Sequence, residues 1–176
     1  MPFIRDLLKY IDGVFVETGT YQGGTTDMVN NNIHGVKIRT LELSNVFYHN
    51  CKERFKNNSN IEVFHMNSKH DLYNCIKDID EKITFWLDGH WSDVHNIGCD
   101  SETKCPILFE LEQLKLHSIK THTIMVDDIR LMDNIHFSVT KDKVIKKIYE
   151  INPNYKIKYY DDECAKEDIL VAYIDN

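Results

Sequence analysis

Ile83-Thr-Phe-Trp-Leu-Asp88-Gly-His90 and, further along, Thr123-Ile-Met-Val-Asp127-Asp128 decide how this chain is read. Each is a short apolar run that stops abruptly on carboxylate. That is the pattern of a buried parallel strand whose carboxyl end opens onto a site. Three aspartates at the rim of one sheet repel one another unless a cation or a proton sits between them. The two runs therefore point to chemistry.

Outward from these runs, strand and helix signals alternate. Residues 3–11 read as an amphipathic helix, Gly13–Glu17 as a first strand, and Thr25 and Thr26 as caps of a helix that ends in the run Asn30–Asn32. Val36–Glu42 and Ile61–Met66 read as strands, with helices over Phe47–Phe55 and Leu72–Ile79. After the strand Ile83–Leu87 comes a long polar loop, 89–104, and then a helix Ile107–Leu116 opened by Pro106. His122–Val126 is the fifth strand, Val139–Glu150 a helix, and Tyr155–Tyr160 and Ile169–Ile174 the last two strands, joined by a polar turn. Parallel strands need crossover connections, so this order predicts one three-layer α/β domain spanning 1–176: a mostly parallel seven-stranded sheet with an antiparallel last strand and helices on both faces.

Bulk composition narrows the function. A chain of 176 residues, 42% hydrophobic and 28% charged, suits a single globular domain. A net charge of -7 gathers neither nucleic acid nor an anionic membrane. The lysines at 141, 143, 146 and 147 fit a solvated helix face. No run has the roughly 20 apolar residues that cross a bilayer. The amino-terminal sequence lacks the layout of a secretion signal, so the expected location is cytoplasmic, with the five cysteines reduced.

The first strand closes into Glu17-Thr-Gly19-Thr-Tyr-Gln-Gly23-Gly24. Glycines let backbone turn tightly and approach a ligand, but no lysine follows them and the spacing is not GxGxxG. The loop suits a nucleoside without a pyrophosphate. Glu42, at the end of the second strand, stands where an acid accepts hydrogen bonds from a ribose diol.

These residues resemble class I S-adenosylmethionine-dependent methyltransferases, whose reversed last strand is inserted beside the fifth. Val14–Gly24 is similar to that family's first motif, and Leu41-Glu42 to its second. The resemblance implies a Rossmann-like methyltransferase fold and S-adenosylmethionine as cofactor. It implies cofactor contacts from Glu17, Thr18, Gly19, Tyr21, Gln22, Gly23, Glu42, Leu43, Asn67, Ser68 and Asp88. Asn67 stands where the family normally has an aspartate near adenine. Asp88-Gly-His90 with Asp127-Asp128 is similar to the metal-dependent O-methyltransferases of the catechol and the macrocin and novobiocin types. That similarity implies Mg²⁺, or another divalent metal, on Asp88, Asp127 and Asp128. His90 is then the candidate base, with Asp88 as the alternative.

The implied activity is methylation of a hydroxyl on a small molecule, a sugar or glycan precursor, with loop 89–105 as lid and a homodimer as a possible assembly. Other readings stay open. His90, His95, Cys99 and Cys105 are zinc-type ligands in one stretch, though at no standard spacing. A non-catalytic module with the same fold, or a metal-dependent hydrolase, would also use such a sheet. Trp86 reads as core and Trp91 as a stacking surface, while Arg130 reads as a partner of Asp127 or Asp128 or of an acidic substrate group.

Overall fold

The computed structural model describes residues 4–90 and 103–175. Its strands are β1 (Val14–Thr18), β2 (Ile38–Glu42), β3 (Ile61–His65), β4 (Ile83–Leu87), β5 (Thr123–Val126), β6 (Lys156–Tyr160) and β7 (Ile169–Tyr173). The helices are α1 (Gly24–Asn32), α2 (Asn45–Arg54), α3 (Ser68–Ile76), α4 (Ile107–Leu114) and α5 (Lys141–Ile151), preceded by a 3-10 helix at Arg5–Tyr10. The sheet order is β3-β2-β1-β4-β5-β7-β6. β7 enters antiparallel between β5 and β6, and the other pairings, from β3 to β5, are parallel. The predicted α/β architecture and its reversed last strand are both present.

Strand periodicity sorts the core into two layers. Val14, Val16, Phe85, Leu87, Ile124, Val126, Leu170 and Ala172 face α3, α4 and α5. Phe15, Trp86, Met125, Ile169 and Val171 face the 3-10 helix, α1 and α2. Successive side chains of one strand point to opposite faces, so buried central strands are apolar on both.

Three local details differ from expectation. The helix predicted from Leu72 begins at Ser68, because Asn67 caps it by accepting a hydrogen bond from the Lys69 N–H at 3.1 Å. Thr25 and Thr26 do not cap α1; both lie inside it and are buried. Gly23, at φ +77°, makes the turn into α1, and Thr26 donates to the buried Glu17 carboxylate at 2.6 Å instead. The opening segment is a 3-10 helix over Arg5–Tyr10, with Leu7 fully buried and Leu8 and Tyr10 packed against the core.

At the opposite end of the sheet from the strand carboxyl termini, two histidines form a relay. The Ile83 N–H donates to His122 Nδ1 at 3.1 Å, so the His122 proton sits on Nε2, which donates to His117 Nδ1 at 2.9 Å. His117 Nε2 in turn donates to the Ile79 carbonyl at 2.9 Å. Every ring nitrogen has one role, and all of them require neutral imidazole. Burial, then the neighbouring His117, push the His122 pKa down to about 3. The depressed value makes the contribution of His122 fully present above its unfolded pKa near 6.5 and progressively lost as pH falls from there toward about 3. Urea melts at pH 7 and pH 5 are expected to show about 2 kcal/mol more loss on acidification in the wild type than in His122→Asn. Equal losses would remove the relay as the cause.

Candidate active site

Strand register assembles the site. Thr18 pairs with Leu87, and Leu87 with Val126, so the chain leaves β1, β4 and β5 at one level. Asp88 N donates to the Thr18 carbonyl at 3.2 Å and Asp127 N to the Leu87 carbonyl at 3.3 Å, which extends the ladder by one residue onto the aspartates. After β3 the chain returns to pair β4 with β1, the reversal point where open α/β sheets bind ligands.

Asp88, His90, Asp127 and Asp128 each bring a ligand atom to within 4.8 Å of the others. His90 Nε2 lies 3.0 Å from Asp88 Oδ1 and bonds Asp128 Oδ2, while its ring sits 5.0 Å from that of Phe137. Burial alone would lower the His90 pKa, but the bonds to Asp128 and Asp88 overcome it and hold the imidazole well above its usual value. The carboxylates divide accordingly. Burial pushes Asp127 up to about 8, with the charges of Asp88 and Asp128 adding to it. Burial also raises Asp88, partly opposed by His90. Burial acts upward on Asp128 too, but His90 and Arg130 outweigh it and leave that carboxyl below the ordinary range. Asp127 is 2% exposed, and its Oδ1 has no hydrogen-bond partner among the described residues.

Asp128 adopts a left-handed backbone at φ 55°. Asp168, fully buried just ahead of β7, holds that turn. Its carbonyl accepts from Ile129 N at 2.9 Å and its Oδ1 from Arg130 N at 2.8 Å. The Arg130 guanidinium then bridges Asp168 and Asp128, the latter at 2.6 Å. Arg130 thus pairs with Asp128, one of its two expected partners.

The loop after β1 closes over the same strand ends. Gly19, at φ +83°, passes so near β4 that a Cβ there would lie 2.3 Å from the Asp88 carbonyl. Gly23 packs as tightly on Phe55. Tyr21 also has positive φ, donates its N–H to Glu42 Oε2 at 2.7 Å and packs edge-on against Phe47. Glu42 Oε1 accepts from Ser44 N at 2.7 Å. The Gln22 carbonyl accepts from Arg54 at 2.6 Å, and that of Leu43 faces His65 Nε2 at 3.1 Å.

Glu17 lies deeper. It is 1% exposed, takes hydrogen bonds from Thr26 and Thr40, and is pushed by burial up to about 8. Its place is beneath the loop rather than on the rim. Asn67 and Ser68 stand at the β3-to-α3 corner, with the Asn67 carbonyl oxygen engaged as the cap.

Two acidic residues at the site carried no sequence expectation. Asp168 is one. The other is Glu110 on α4, 1% exposed and pushed by burial up to about 7, which the Ser68 and Thr18 hydroxyls temper. A signal for Glu110 existed: it shares a helix face with Ile107, Leu111 and Leu114, where an apolar residue is the rule. Nothing in the turn before β7 marked Asp168.

Of the zinc-type set, His95 and Cys99 lie outside the described residues, as do Trp91 and most of loop 89–104. Cys105 is buried in the core and is not in the cluster, and Trp86 is core as expected.

No protein-family model and no curated protein sequence matches this chain. Solved structures do. A Streptococcus mutans protein provisionally assigned as a methyltransferase, in complex with SAH, aligns over 95% of this chain and 92% of its own at TM-score 0.62 and 9% identity. A Staphylococcus aureus protein provisionally assigned as a caffeoyl-CoA O-methyltransferase aligns over 93% and 76% at TM-score 0.61 and 9% identity. The N-methyltransferase NodS from Bradyrhizobium japonicum aligns over 96% and 90% at TM-score 0.58 and 12% identity. The chain therefore has the class I methyltransferase fold. Since these neighbours include both O- and N-methyltransferases, the fold alone does not choose the acceptor atom.

A carboxyl raised by folding costs stability once it ionises. For Asp127 that cost is absent below about 4, grows as pH rises, and is complete above about 8. Asp127→Asn is therefore expected to melt several degrees above the wild type at pH 8 in chelator, and to lose the stabilisation that manganese or magnesium ions give the wild type. Thermal melts with and without the cations check both. An Asn variant no more stable than wild type in chelator would contradict the assigned repulsion.

Proposed function

We propose that this chain is an S-adenosylmethionine-dependent O-methyltransferase, assisted by a divalent metal, acting on a hydroxyl of a small molecule of sugar type. One observation carries the reading: Asp127 Oδ1, without a hydrogen-bond partner among the described residues, sits in a carboxylate and imidazole cluster at the sheet's reversal point, near the Gly19 loop and the β2 end at Glu42. Buried polar atoms are normally satisfied, so such an atom among like charges fits an absent cation.

The donor set suits the metal. Carboxylate oxygens of Asp88, Asp127 and Asp128 are hard ligands of the kind Mg²⁺ takes, and the Arg130 and Asp168 bridge keeps Asp128 turned toward them. Asp88, Asp127 and Asp128 would hold the cation, whose chemistry would be to acidify an acceptor hydroxyl, and carboxylates engaged in that way would no longer hold His90 protonated. Neutral His90 is then the base for the acceptor proton, with Asp88 as the alternative. The tilted ring contact with Phe137, together with Asp88 and Asp128, would orient the imidazole.

Glu42 is suited to the ribose hydroxyls, while Gly19 lets the β1 loop pack on the Asp88 backbone beside the place the cofactor would take. S-adenosylmethionine, held by the β1 loop and Glu42, would supply the methyl group to the acceptor oxygen and would be released as S-adenosylhomocysteine. The residues contribute mainly by aligning oxygen and carbon.

Calorimetry with S-adenosylhomocysteine is expected to show binding that Glu42→Gln weakens about tenfold, the scale of a lost charge-assisted hydrogen bond. Methylation of a sugar diol should need a divalent metal and fall at least about 100-fold in Asp128→Asn. Absence of S-adenosylhomocysteine binding would sink the reading. Metal-independent turnover would remove only its metal half.

A further inference from the structure

Asp168 is a buried acid that stands outside the metal-type cluster and yet touches one of its members. Continuing the antiparallel register of β7 on β5 two residues beyond the Val126 and Leu170 pair sets Asp168 opposite Asp128. Its contacts divide between backbone and charge. The Asp168 carbonyl accepts from Ile129 N at 2.9 Å and its Oδ1 from Arg130 N at 2.8 Å, and these two bonds hold the left-handed turn at Asp128. Its Oδ2 takes the Arg130 guanidinium. The same guanidinium nitrogen, Nη1, lies 2.6 Å from Asp128 Oδ1, while His90 sits on Asp128 Oδ2.

The turn does not need a charge on Asp168, because a neutral carboxamide oxygen would accept from Arg130 N equally well. A carboxylate is expensive to bury, so its use here calls for a role that only charge can fill. Both oxygens of Asp128 already have cationic partners, and a metal ion arriving there must compete with them. A second carboxylate on Nη1 divides the guanidinium charge, so that less of it rests on Asp128. We propose that Asp168 is a positioning residue for the metal site, which draws the Arg130 charge off Asp128 and so leaves that carboxylate able to ligate a divalent cation. The assignment rests on the metal half of the reading above and adds to it the group that sets how firmly Asp128 binds. It acts through Arg130 and touches neither cation nor acceptor.

The test is calorimetric titration of the whole chain with manganese ions, and separately with S-adenosylhomocysteine, in Asp168→Asn, Arg130→Gln and the double variant. Asp168→Asn keeps an acceptor for Arg130 N and removes only the charge, so manganese affinity should fall at least about tenfold, the usual scale for a group that supports a metal ligand. Affinity for S-adenosylhomocysteine should stay within about twofold of wild type, which general damage to the fold would not allow. With Arg130→Gln already in place there is no guanidinium charge to divide, and adding Asp168→Asn should change manganese affinity less than about threefold. Unchanged manganese affinity in Asp168→Asn overturns the assignment, and so does a tenfold loss that persists beside Arg130→Gln. A wild type that binds no manganese overturns the metal half together with it and leaves the S-adenosyl reading standing. Should Asp168→Asn not fold, a crystal of the wild type with manganese decides. Arg130 Nη1 about 3 Å from Asp168 Oδ2, with Asp128 on the metal, supports the assignment, and a separation beyond about 4 Å overturns it.

Discussion

The parallel pairing of β4 with both β1 and β5 is the constraint on which the rest of this molecule depends. Because Thr18, Leu87 and Val126 share one level, the next residues of all three strands emerge together at a common rim. Two of those exits are acidic, and Gly19 has no side chain to keep the third away. The register thus sets the distance between charges before any side-chain preference acts. It also fixes the side of the sheet, because a slip of one residue would turn each aspartate to the other face.

Such a rim is electrostatically expensive, and the molecule meets the cost with local cations. His90 lies between Asp88 and Asp128, and Arg130 between Asp128 and Asp168. Asp128, touched by both, stays ionised below the usual range, whereas Asp127, touched by neither, is driven up to about 8. The asymmetry is chemically useful. Environments that push neighbouring carboxyls apart separate a charged anchor from a group that accepts a cation or proton. The site is consequently held together from several directions without being electrostatically complete.

Much of this was legible in the residues. The apolar runs ending on Asp88 and Asp127 marked central strands, and their alternation sorts Phe85 and Trp86 to opposite faces as strand geometry demands. Glu42 ends β2 and Gly19 follows β1 at the same level, because the parallel register pairs Thr18 with Leu41. Less was legible at helix starts. The first turn of α3 is polar, so apolar spacing placed its beginning at Leu72, four residues beyond the Asn67 cap's helix start at Ser68. Thr26 looked like a cap and is instead a donor to Glu17, a contact between a helix and a strand that no local pattern reports.

The chain by itself determined the strand periodicity, the acids at the strand ends and hence the kind of chemistry that could gather there. Only the tertiary structure decided which groups complete that gathering. Asp168 reaches Asp128 because β7 runs antiparallel beside β5, so that its beginning lies at the other strand's end. Glu110 reaches Gly89 because α4 packs back across α3 over the sheet. Periodicity records which face of one element is buried. It carries no information about which distant carboxyl shares that burial, since the partner is set by how elements far apart in the chain pack together.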